Sequence, residues 1–304
     1  MKSKGIPLYL HCRLEAKIHA KALMNEGIDL TYSKDGVKVS YNPKHQQGIN
    51  ARLEDNPTSV DLLVPKIEVQ QEIVRVYSIL QRTPMKVAVG SSDGNPLVYA
   101  FKNENNYSFK SEYDKKTIQD CIDMIIKKFV EKYFSSIEGN VATIVCPSEN
   151  TLNNVFAYAF RKNAESLGKF INLYDDILVK YPVEDFRYEV IDNPKSDLNQ
   201  WILSLPADTA MKKRAILDKA LDKMDASHNG VFAYHFIKDP DIRKHISSTM
   251  KTPSNAKDIN DENIIVLDDT VSQGKTLVEA CSLLYGSYLP KTVTALTLFS
   301  PLKS

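Results

Sequence analysis

The sequence has no C-x-x-C pair, no apolar run approaching the length of a membrane helix, no internal repeat and no excess of either charge. Each absence closes off a class of protein. Cys12, Cys121, Cys146 and Cys281 lie far apart, so they read as reduced, mostly buried thiols rather than a disulfide frame or a zinc site. No stretch approaches the roughly 20 apolar residues that a membrane helix needs. Met1 to Tyr9 carries basic residues but no apolar run of signal-peptide length. Lys plus Arg number 39 against 38 Asp plus Glu, which gives no reason to expect a nucleic-acid partner. The expectation is a soluble, cytoplasmic protein, with a homodimer as the usual prior.

What is present fits a globular chain. At 304 residues, 43% hydrophobic and 25% charged, it can bury a substantial core in one large domain or two smaller ones. The first part mixes signals. Leu14 to Met24 favours helix and ends near Gly27, and Gly36 to Tyr41 alternates like a half-buried strand. Asn42-Pro43 and Asp55-Asn56-Pro57 mark loops. Ile67, Gln70, Ile73, Val74, Tyr77 and Leu80 fall near helical spacing, whereas Lys86 to Gly90 and Leu97 to Phe101 resemble two strands around the turn Ser92 to Pro96.

From Asp114 the texture changes. Ile118, Ile122, Ile125, Phe129 and Tyr133 recur at steps of three and four, so the spacing predicts an amphipathic helix over 115–134. Val141 to Cys146 is a short apolar run closed by Pro147, the pattern of a buried strand. Leu152 to Leu167 is a second helix and Asn172 to Val179 another strand. Tyr181 to Asn229 is long, polar and interrupted by prolines, with one helix at Ala210 to Lys223. Val231 to Ile237 and Asn263 to Leu267 read as strands, Thr276 to Tyr285 as a helix capped by Gly286, and Thr292 to Phe299 as a final strand. Strands alternating with helices predict a doubly wound, mostly parallel α/β sheet over residues 113–304, with an N-terminal α+β accessory domain over 1–112. Ligands bind such sheets beyond the carboxyl ends of the strands.

The segment Ile264 to Leu277 is the part of the sequence that speaks of chemistry. An apolar strand ends in two carboxylates, Asp268 and Asp269. A loop of small and hydroxyl residues follows, Thr270-Val271-Ser272-Gln273-Gly274, and Lys275-Thr276 opens a helix. Adjacent carboxylates at a strand end can accept hydrogen bonds from the 2- and 3-hydroxyls of a ribose. The loop's N–H groups, with the hydroxyls of Ser272 and Thr276, can surround a phosphate at a helix N-terminus, where the dipole favours an anion. Gly274 tolerates a positive φ and a close backbone approach. Gly274-Lys275-Thr276 also matches the end of a Walker A loop, but that motif needs glycine where Asp269 stands. Ile264 to Asp269 matches a Walker B strand without a Walker A partner. The plain alternative is a buried strand followed by a polar turn.

This segment resembles the phosphoribosyl pyrophosphate (PRPP) signature of type I phosphoribosyltransferases. The likeness covers the strand, both aspartates, Val271, Ser272, Gly274 and Thr276, and departs at Thr270 and Gln273. In element order it is most like ComF-type members. The resemblance implies transfer of phosphoribosyl to a nitrogen acceptor such as a nucleobase, with release of pyrophosphate. It implies Asp268 and Asp269 on the ribose, residues 270–276 on the 5-phosphate, and a pyrophosphate loop at Pro147-Ser148-Glu149-Asn150. Mg²⁺ would be held mainly through ligand oxygens. An insertion or mobile loop over 181–229 would supply cations to the leaving group from Lys212, Lys213 and Arg214, whose plainer reading is a solvated helix face. A non-catalytic binder of PRPP or a nucleotide, or an enzyme acting on a related sugar diphosphate, would use the same site.

Other polar features carry less. His11, Glu15 and His19 are spaced by four, but without a third type of ligand they read as a surface helix. His235 reads as a core or edge residue, and Arg243, Lys244 and His245 as solvated helix positions.

Overall fold

The computed structural model describes residues 28–33, 36–41, 58–67, 70–81, 96–103, 106–134, 140–148, 152–227, 230–260, 263–270 and 274–300. The expected helix at Leu14 to Met24, the His11–Glu15–His19 row, the loops at 42–43 and 55–57 and the expected strand at 86–90 lie outside them.

Two short strands, β1 (Ile28–Ser33) and β2 (Gly36–Tyr41), pair antiparallel. They are followed by β3 (Thr58–Ile67) and β4 (Gln70–Gln81), then helix α1 (Pro96–Lys102) and β5 (Tyr107–Phe109). β5 joins β2 to complete a three-stranded sheet. Next come α2 (Glu112–Phe129, continued by a π turn at Val130–Phe134), β6 (Val141–Val145), α3 (Leu152–Glu165) and β7 (Ile171–Tyr174). Ser111 caps α2 by accepting from the amide of Asp114, 3.1 Å away. The chain then passes through β8 (Val179–Lys180), α4 (Val183–Phe186, with a π turn at Arg187–Ile191), α5 (Asp197–Ser204), α6 (Ala207–Ser227), α7 (Pro240–His245) and β9 (Met250–Lys251). It ends with β10 (Asn263–Thr270), α8 (Lys275–Tyr288) and β11 (Thr292–Ser300).

The main sheet has six strands in the order β3-β4-β11-β10-β6-β7. All pairs are parallel except β3 with β4, so an antiparallel edge strand closes a five-stranded parallel core. Both faces are buried, which is why β6 and β10 read as unbroken apolar runs. On one face Ile265, Leu267, Leu296 and Val145 pack under α2 and α3, through Ile125, Phe129, Phe156 and Phe160. On the other, Ile264, Val266, Ile144 and Ala295 pack under Leu277, Ala280 and Leu284 of α8. The architecture is thus mixed α/β with helices on both faces, as expected.

Several elements differ from the expected ones, each for a local reason. Residues 67–80 do not form a helix but lie mostly in β4. Val74 and Val76 enter the α8 side of the core while Ile79 enters the α2–α3 side, so the alternation of a β-branched strand coincides with helical spacing. Leu97 to Phe101 is not a strand but helix α1, with Pro96 in its first turn. The run 231–237 is no strand either: it holds an isolated bridge from Val231 to Pro182 and a 3₁₀ turn at Tyr234–Phe236 that carries His235. The strand expected over 172–179 divides into β7 and β8. Gly286 sits inside α8, which ends at Leu289 in the left-handed region, φ 48°.

The segment over 181–229, expected to hold one helix at Ala210 to Lys223 in an otherwise loop-like stretch, is helical along most of its length, and that helix is α6. α4 to α7 enclose a core of their own built on Phe186, Leu198, Ile202, Leu217, Leu221, Met224 and Phe232, with Phe186 and Phe232 stacked at 4.0 Å. The β8–β9 pair ties the two ends of this insert together. Residue 112 does not separate two sheets: β3 and β4 precede it, and β4 pairs with β11 from Thr294↔Arg75 to Ser300↔Gln81.

Candidate functional site

Strand order places the site. β6 and β10 are neighbours, but the helices after them leave to opposite faces, α3 on one and α8 on the other. From β6 the chain moves outward to β7, and from β10 it moves the opposite way to β11. A crevice at such a reversal is where open α/β sheets receive ligands. The carboxyl end of β10 carries Asp268 and Asp269, and the end of β6 runs into Cys146, Pro147 and Ser148 beside it. The amide of Cys146 donates to the carbonyl of Leu267 at 2.8 Å, which pins the two strand ends together.

Both aspartates are buried, at 8% and 4% exposure. One oxygen of Asp268, Oδ1, accepts from the amide of Asp269 at 3.0 Å and from Nδ2 of Asn153 at 3.3 Å. Nδ2 of Asn153 also donates to the Cys146 carbonyl at 2.9 Å, so the second residue of α3 bridges both strand ends. Its Oδ1 is buried without a hydrogen-bond partner. Asp269 is held on both oxygens: Oδ1 accepts from the Thr270 hydroxyl at 3.0 Å, and Oδ2 lies 2.6 Å from the ammonium of Lys102. Burial, reinforced by the Asp269 charge alongside, pushes the Asp268 carboxyl up to about 7, while the Asn153 amide and the Asp269 N–H oppose the rise.

Gly274 caps α8 at φ 74°, in the left-handed region, and its carbonyl accepts from Val278 at 2.8 Å. Lys275 and Thr276 open the helix and are exposed. The chain therefore turns from the buried carboxylates into a helix N-terminus, where backbone N–H groups point outward to an anion. Val271, Ser272 and Gln273, and Glu149 and Asn150 of the expected pyrophosphate loop, lie outside the described residues. Pro147 is half-buried and Ser148 exposed, at the strand end next to Asp268.

The cations expected to meet the leaving group lie on α6 of the insert, as expected of the 181–229 segment. Lys213 on α6 pairs with Asp239 at 2.7 Å and Asp241 at 3.3 Å, and Arg214 pairs with Asp192 at 3.2 Å, all within the helical insert. Hydrogen bonding to Asp239 raises the Lys213 ammonium, which stays charged. Lys212 is exposed on the same helix. Cys146 is buried in the sheet, and burial raises its thiol well above the ordinary value, which disfavours the thiolate form.

Sequence reasoning missed Lys102 and Asn153. Lys102 sits in the last turn of a segment that alternates like a strand, and nothing local marks it. Asn153 had a faint signal, a polar residue in the first turn of a helix following a buried strand. It also missed Glu279 on α8, half-buried, which accepts from the Thr249 amide, from the Thr249 hydroxyl at 2.7 Å, the Met250 amide at 2.8 Å and the Ser248 hydroxyl at 3.1 Å. Glu279 clasps the exit of the insert to the helix that begins at Gly274.

Among the described residues no group of three or more His, Cys, Asp or Glu is placed to hold a metal, and no helix is long and apolar enough to cross a membrane. Compared with protein-family models, curated proteins and solved structures, the chain matches none.

Proposed function

We propose that the chain is a phosphoribosyltransferase-like protein of the type I kind. It binds PRPP at the carboxyl end of β10 and transfers phosphoribosyl to a nitrogen acceptor such as a nucleobase, releasing pyrophosphate. The observation that carries the reading is the Asp268–Asp269 pair at the reversal of the parallel sheet, followed at Gly274 by a left-handed turn into the N-terminus of α8. Few ligands use both parts at once. A ribose 5-phosphate does, with hydroxyls for the carboxylates and a dianion for the helix end.

The Mg²⁺ that the resemblance implies does not fit as an ion held by the protein. Asp269 has one oxygen on Lys102 and the other on Thr270, and no third carboxylate or histidine joins the pair among the described residues. The ion would accompany the pyrophosphate oxygens of the ligand.

A second reading, a binder of PRPP or a nucleotide that does not transfer, is favoured by one observation. Lys213 and Arg214 are engaged in ion pairs within the insert rather than directed at a leaving group. Turnover separates the two. Incubation of the chain with PRPP, Mg²⁺ and a panel of nucleobases releases pyrophosphate if the first reading holds. Stabilisation by PRPP without release supports the second. Unchanged PRPP binding by the Asp268→Asn/Asp269→Asn variant contradicts both.

A further inference from the structure

We infer that Lys102 is the resident cation of this site, and that it lets the chain hold a ribose 5-phosphate group without a divalent ion on the Asp268–Asp269 pair. The inference rests on the phosphosugar reading above and concerns how that site is balanced electrically.

Two adjacent carboxylates buried at a strand end repel each other and repel an incoming phosphate, so an uncompensated pair would oppose the ligand it is meant to hold. In this chain the compensation is covalently attached. The Lys102 ammonium lies 2.6 Å from Oδ2 of Asp269, with side-chain exposures of only 16% and 6%. At that burial the pair is screened little by solvent or salt. Lys102 occupies the last turn of α1, where the helix dipole favours a cation. With Thr270 on the remaining oxygen, each oxygen of Asp269 already has a neighbour before a ligand arrives, although Oδ2 meets Lys102 as an ion pair and not as a hydrogen bond.

A second observation points to a ligand that brings hydrogen-bond donors. Asn153 is 1% exposed, its amide nitrogen is fixed on Asp268 and on the Cys146 carbonyl, and its buried Oδ1 is left without a partner. An orphaned buried acceptor costs free energy unless a donor reaches it. Oδ2 of Asp268 likewise accepts no hydrogen bond from the described residues. The acceptors left over, beside a fixed ammonium, form a set suited to sugar hydroxyls, which donate to oxygens and accept from Lys102.

The test is calorimetric titration of the full chain with ribose 5-phosphate, which carries no pyrophosphate to chelate magnesium, in EDTA and in excess Mg²⁺. The inference expects the native chain to bind with affinities within about twofold of each other in the two buffers. It expects Lys102→Met to lose about tenfold or more in EDTA, and Lys102→Arg to stay within a few-fold of native. Circular dichroism establishes folding. Should Lys102→Met not fold, the comparison of the native chain in the two buffers carries the test by itself. Native binding that appears only with Mg²⁺, or native affinity in a folded Lys102→Met chain in EDTA, overturns the role of Lys102 and leaves the phosphosugar reading standing. No binding by the native chain in either buffer overturns both.

Discussion

At the scale of single residues, the site is a balance between burial and charge. Asp268 holds its proton to about pH 7 in the fold but releases it near the ordinary carboxylate range, 3.8, in the open chain. Over that window the native state binds more protons than the unfolded state, so the contribution of Asp268 to stability falls as pH rises from about 4 to about 7. Asp268→Asn removes the ionisation. The variant is expected to be more stable than native at pH 8, by a margin that shrinks as pH falls from about 7 towards 4. Melting temperatures of the two proteins across that range check it, and parallel curves would count against a raised Asp268. Gly274 makes a different demand. At φ 74° a side chain is strained, so Gly274→Ala is expected to cost about 1 kcal/mol by urea denaturation and to weaken phosphate binding several-fold. Asp268, Asp269 and Gly274 were legible in the sequence because one contiguous segment carries strand, carboxylates, turn and helix start. Lys102 and Asn153 were not, because their roles exist only after distant elements meet. The Asn153–Asp268 contact spans 115 positions of chain.

At the scale of elements, periodicity was readable where only one alternative was compatible with it. α2, α3, β6, β10 and β11 fell where their patterns placed them. β4 did not, because an exposed apolar residue, Ile73, blurs its alternation and its apolar residues coincide with a helical repeat. The insert was hidden for the opposite reason. Apart from α6 its helices are short, they are separated by prolines, and their shared core appears only when Phe186, Leu217 and Phe232 come together. Glu279 links this insert to α8, with four hydrogen bonds converging on one carboxylate. Glu279→Ala leaves those donors unpaired and is expected to cost about 2–3 kcal/mol, with faster amide exchange at Thr249 and Met250. Exchange confined to native rates there would show that the clasp is dispensable. Lys213→Met is expected to lower the melting temperature while leaving PRPP affinity unchanged, since its partners Asp239 and Asp241 belong to the insert. A loss of PRPP affinity at unchanged stability would instead return Lys213 to the site.

At the scale of the whole molecule, the sheet binds together what composition alone divides. β4 covers the edge of β11, and β3 covers β4, so the first 112 residues contribute strands to the same sheet that carries the aspartates. A fragment of residues 113–304 would expose the β11 edge along with Ala295 and Leu296, and is expected to associate or remain unfolded on size-exclusion chromatography. A monodisperse, cooperatively melting fragment would show that β3 and β4 are dispensable. The central claim concerns the crevice between β6 and β10, and its most direct test is a crystal structure of the chain with PRPP and Mg²⁺. The account predicts the 5-phosphate against the backbone N–H groups that open α8, with the ribose hydroxyls on Asp268 and within reach of Lys102. Ligand bound at any other place, or a ribose that makes no contact with Asp268, would contradict it.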